Sequence, residues 1–123
     1  LVYKTVATAL LGALFIAAGA NHFVHPAFYQ RIVPRSFPSP ALLVVISGIA
    51  EIAGGIGVLI PATRKAAGIG LVSLLVAVFP ANMYMAQHPE LYRDIASATT
   101  LDIRLPLQAV LIAWVWWTCF GRA

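Results

Sequence analysis

Apolar residues fall in four long blocks, separated by short polar or proline-rich stretches. Each block is about twenty residues long, the length a helix needs to cross the hydrocarbon of a bilayer. The pattern predicts helices over about 2–23, 40–60, 66–86 and 105–120, within one domain, 1–123. The first block, with Lys4 ahead of it and Ala18-Gly19-Ala20 at its far end, has the outline of a signal peptide. It outruns an h-region of about 7–15 residues and is read as a span. Ala9, Ala13, Ala17 and Asn21 recur every fourth residue, as do Ser47, Glu51 and Gly55. Such stripes predict close-packed helix faces, with Ala50 and Gly54 as a further pair of small residues.

The connections carry their own signals. Residues 24–39 are too polar and proline-rich to cross. Pro26, Phe28, Tyr29 and Ile32 predict a short interfacial helix, with Arg31 and Arg35 at headgroup level and Pro34 and Pro38 barring its extension. The tight 61–65 connection predicts antiparallel neighbours. Pro80 predicts a kink or local unwinding near Asn82. In the third loop, Leu91, Tyr92 and Ile95 predict a second interfacial helix, and Pro106 is placed near the first turn of the last span, with Asp102 as an alternative, earlier start. The expected fold is all-α: an integral membrane antiparallel four-helix bundle with short interfacial helices in the first and third loops.

Composition agrees with that pattern. Of 123 residues, 61% are hydrophobic and 10% charged, where a soluble domain carries about 25% charged residues. The expected surroundings are lipid. The net charge of +4 is scattered, with no basic block to hold nucleic acid, so no nucleic-acid partner is expected. A single cysteine, Cys119, excludes an internal disulfide and a CxxC pair. His22, His25 and His88 lack ligand spacing, so no metal site is expected. Lys4, Arg64, Lys65 and Arg122 lie on one side of the predicted spans and Arg31, Arg35, Arg93 and Arg104 on the other. That is a tie by the positive-inside count, and both termini are assigned to the cytoplasm.

Glu51 is the residue that needs a reason. A charged side chain at the centre of a span costs roughly 2.5–3.5 kcal/mol on insertion scales, so it is paired, protonated or used. Alternating span directions bring Asn21, His22, Asn82, Arg104 and Gln108 to the side of the long loops, above Glu51. A polar cavity floored by Glu51 is expected there. His22 or Arg104, or Arg35 from the loop, would supply a cation, and a histidine beside a carboxylate can exchange a proton near neutral pH. Asn21, Asn82 and Gln108 would hydrogen-bond a carbonyl or hydroxyl, which suits an apolar ligand with a polar head, such as a quinone ring. Glu51 and His22 are thus the catalytic candidates, and Asn21, Asn82, Arg104 and Gln108 the ligand-binding ones. A bland role stands beside each: a helix-stapling hydrogen bond for Glu51, a backbone cap for Asn82, an interface anchor for Arg104.

The stretches Gly19-Ala-Asn-His-Phe23, Ser47-Gly-Ile-Ala-Glu-Ile-Ala-Gly-Gly55, Phe79-Pro-Ala-Asn-Met-Tyr84 and Arg104-Leu-Pro-Leu-Gln108 resemble the DoxX-like family, in order and over nearly all the chain. The resemblance implies a four-helix bundle in the bacterial cytoplasmic membrane and a link to quinone-coupled oxidation, with other membrane or redox subunits as partners. Quinone is the only cofactor it implies, and no covalent one. A second expectation is a non-catalytic accessory subunit packed against a larger complex; a third is a stand-alone enzyme or transporter using Glu51 as acid or base.

Overall fold

The computed structural model describes residues 2–33, 37–92, 94 and 97–121. Among the described residues the regular structure is all helical: α1 (Val2–Val24), α2 (Pro26–Ile32), α3 (Pro40–Leu59), α4 (Arg64–Gln87) and α5 (Ala98–Phe120), with one 3-10 turn at Pro89–Leu91. Among the described residues, four segments are long and apolar enough to cross a membrane: α1, α3, α4 and the Asp102–Phe120 part of α5.

Local chemistry sets the boundaries. Pro26 and Pro40 open α2 and α3, where the missing N–H costs nothing. Ser39 turns the chain into α3 from the left-handed region, at φ 48°. At the other end of α3, Thr63 Oγ1 donates to the Gly57 carbonyl at 2.8 Å and Arg64 Nε to the Val58 carbonyl at 2.7 Å. The Gly57 carbonyl also accepts the Ile60 N–H at 3.3 Å, and together these bonds cap the end of α3 and hold the turn into α4 tight.

Three expectations are corrected. The last helix begins at Ala98, not near residue 105, because Ser97 caps it: its Oγ accepts the Thr100 N–H at 3.2 Å. Pro106 therefore lies inside α5 rather than in its first turn. Pro80 brings no local unwinding: α4 stays helical through it. In the third loop the described residues form only the 3-10 turn; Arg93 and Ile95 lie outside the described residues, as do Pro34 and Arg35 in the first loop.

The close-packed face of α1 also differs from the expected one. Ala9, Ala13 and Ala17 are exposed, while Gly12 and Gly19 are buried. Gly12 faces Gly55, and Gly19 faces Gly48, so α1 and α3 run in opposite directions with backbones nearly touching. Gly54, on the adjoining side of α3, meets Leu71 of α4, and Gly57 meets Ala67. α4 packs on α5, where Gly68 meets Cys119, and α5 also touches α1. The apolar core of Leu11, Phe15, Val58, Leu71, Leu75, Val115 and Cys119 fills the half nearest the α3–α4 turn.

The opposite half is covered by α2. Ile32 packs with Met85 and Tyr92 there. Arg31 forks onto Asp94 at 2.8 and 3.0 Å and reaches the Leu91 carbonyl at 2.9 Å, while Tyr92 Oη donates to the Arg31 carbonyl at 3.0 Å. The hydrogen bond from Arg31 holds the Asp94 carboxyl below its ordinary range, and Asp94 in turn holds the guanidinium above its own.

Candidate functional site

Between the core and α2 lies a cavity of about 540 Å³. Its walls are mainly aliphatic and aromatic: Phe15 and Ala18 of α1, Leu43 and Val44 of α3, Leu74, Ala77, Val78 and Ala81 of α4, Leu107 and Leu111 of α5, with Ile32 of α2 and Phe37 above. Five of its residues can do polar chemistry through acid, base, cation or amide groups: His22, Glu51, Asn82, Arg104 and Gln108. Tyr29 and Ser47 add hydroxyls.

The polar groups form two sets on facing walls. On the α1–α3 wall, His22 Nε2 stands 3.1 Å from Glu51 Oε2, and the two side chains are only 11% and 15% exposed. The close Gly19–Gly48 contact brings the end of α1 to the level of Glu51. His22 Nδ1 lies 2.8 Å from the Ala18 carbonyl. A carbonyl can only accept, so Nδ1 carries its proton and donates it. Nε2 then faces the carboxyl with one proton between them. A neutral ring against a carboxylate would set two acceptors face to face. The pair is therefore either neutral imidazole with carboxylic acid or imidazolium with carboxylate, and in both forms its net charge is zero.

On the α4–α5 wall, one chain of hydrogen bonds fixes every amide. Arg104 donates from Nε and Nη2 to Asn82 Oδ1 at 3.4 and 3.3 Å. Asn82 Nδ2 donates to Gln108 Oε1, and Gln108 Nε2 donates to the Leu75 carbonyl. Arg104 has only donors, so the orientation of both amides follows from it. Gln108, 4% exposed, is spent on protein partners at both ends of its amide. It serves α4 one residue before Val76, whose carbonyl lost its partner to Pro80.

Asn21 has a different role from the one expected. It is exposed, stands outside the cavity lining, and donates to Tyr29 Oη at 2.6 Å. Tyr29 in turn stacks on His22, ring centres 3.9 Å apart and planes 15° from parallel. Asn21 thus orients the ring that covers the base. Sequence reasoning placed Tyr29 on the apolar side of α2 and missed this contact; a tyrosine on a short amphipathic helix following an Asn-His pair was the available signal.

A family model described as "Domain of unknown function (DUF8561)" matches residues 11–119. The chain belongs to that family. The DUF8561 match takes in both polar sets and both glycine contacts between α1 and α3. No curated protein and no solved structure matches the chain.

Proposed function

We propose that this DUF8561 protein is an integral membrane protein of the bacterial cytoplasmic membrane, an antiparallel four-helix bundle whose cavity binds a quinone or similar amphiphile and serves a membrane redox system. On this reading α2 lies at the membrane interface and the DoxX-like resemblance reflects shared chemistry. The observation that carries it is the His22–Glu51 pair facing an apolar cavity of about 540 Å³, a volume within the roughly 300–1,000 Å³ of small-molecule sites. The pair supplies one of the protons a quinone takes up on reduction and is refilled from the loop side. Electrons come from a partner subunit, because the single cysteine offers no redox pair. A second reading, a non-catalytic subunit of a larger complex, draws on the outer face of α5, where Val110 and Trp116 are exposed.

The test is binding of a decyl-benzoquinone to the protein in lipid nanodiscs. Ser47→Trp fills the cavity from α3, whereas Ile46→Trp adds the same ring to the exposed side. The wild type and Ile46→Trp are expected to bind, and Ser47→Trp, folded by circular dichroism, to lose binding. Unchanged binding in Ser47→Trp, or none in the wild type, overturns the proposal.

A further inference from the structure

The charge balance of the cavity names the class of head group. The His22–Glu51 pair is neutral whichever atom holds the proton. The amides of Asn82 and Gln108 carry no charge. Arg104 is thus the one net charge among the described residues lining the cavity, and no described carboxylate stands within ion-pair distance of it. Its two hydrogen bonds to Asn82 come from Nε and Nη2, one edge of the guanidinium. The Nη1–Nη2 edge remains, in the planar fork that matches a two-oxygen anion.

Arg104 is exposed at the rim and hydrated when the cavity is open. An amphiphile that seals the mouth strips that water away. A neutral head then leaves a cation unmet beside apolar walls, which is costly, while a monoanion restores neutrality. We infer that the cavity selects an amphiphile whose oxygen-acid head carries a single negative charge, with Arg104 as its counter-charge. This rests on the amphiphile reading above and specifies its ligand. Fatty-acid carboxylates and ionised ring hydroxyls share the chemistry.

Binding is measured in phosphatidylcholine nanodiscs with laurate, lauryl alcohol, dodecyltrimethylammonium and an alkylated hydroxynaphthoquinone, at neutral pH. At least one acid is expected to bind about tenfold more tightly than the alcohol, and the ammonium more weakly than either. A gain for laurate identifies a chain carboxylate; a gain for the naphthoquinone alone identifies a ring acid. Arg104→Gln, shown to be folded by circular dichroism and thermal unfolding, is expected to bring the acid down to the affinity that the same variant has for the alcohol. Arg104→Lys keeps part of the preference. Equal binding of acids and alcohol by the wild type, or an acid preference that survives in Arg104→Gln, overturns the inference and leaves the amphiphile cavity standing. Binding of none of the probes overturns both.

Discussion

Gly19 of α1 lies against the backbone of Gly48 in α3, and a Cβ at position 19 would stand 2.6 Å from the Gly48 carbonyl oxygen. Neither backbone can yield without separating the helices. Gly19→Ala is therefore expected to lower stability by about 1–3 kcal/mol. Gly70 is the control, because nothing lies within 4 Å of an added Cβ there. Gly70→Ala is expected to be neutral or to stabilise by about 0.5–1 kcal/mol. Thermal unfolding of both variants in the same detergent checks the pair; equal effects would contradict the packing described.

The His22–Glu51 contact makes different predictions for an isosteric change at one end and a truncation at the other. In Glu51→Gln the amide N–H donates to Nε2, so the hydrogen bond survives while the exchangeable proton is lost. Stability is expected to stay near that of the wild type, with any proton-coupled activity gone. His22→Ala leaves the carboxyl without a partner in an apolar cavity, at a cost of about 1–3 kcal/mol. A double-mutant cycle in denaturant measures the coupling. Additive effects would mean that the two side chains do not interact.

Gln108 joins α5 to the backbone of α4. Gln108→Leu has nearly the same length but leaves the Leu75 carbonyl and the Asn82 amide without their partners. The expected loss is about 1–3 kcal/mol, and Asn82→Leu added to it should cost less than it does alone. Unfolding midpoints of the three variants test this.

The tie between Arg31 and Asp94 predicts a pH dependence of α2. The folded carboxyl lies below its unfolded value because Arg31 donates to it. The contribution is thus fully present above the unfolded carboxylate pKa and disappears as pH falls through the folded one. Both groups are exposed, so the effect is small and falls with added salt. Protection factors across α2, taken relative to the intrinsic amide exchange rate at each pH, should fall in acid for the wild type, while Asp94→Asn should be less protected at neutral pH and change little in acid.

The four long helices were legible because lipid-length apolar runs between prolines have few alternatives. Glu51 and His22 were legible too: one acid in an apolar run and one base at a span end. What the sequence hid depends on helix rotation. Alanine and glycine both allow close approach, so Ala9, Ala13 and Ala17 competed with Gly12 and Gly19, and only the partner's surface decides between them. The start of α5 was hidden for a different reason. Ser97 competes with Pro106 as a helix-opening signal, and a capping serine wins when the residues after it can be helical. The role of Asn21 turned on a contact with Tyr29 of α2, which no periodicity within α1 reports.

The claim that an amphiphile occupies the cavity between the two polar walls is tested most directly by photolabelling. A decyl-benzoquinone with a diazirine in its tail, irradiated with the protein in nanodiscs and mapped by mass spectrometry, is expected to label Ala18, Ser47, Val78 and Leu111, which line the cavity. Unlabelled decyl-benzoquinone should compete that labelling away. Adducts confined to outward residues such as Leu42, Ile46 and Val110, insensitive to competitor, would contradict the account.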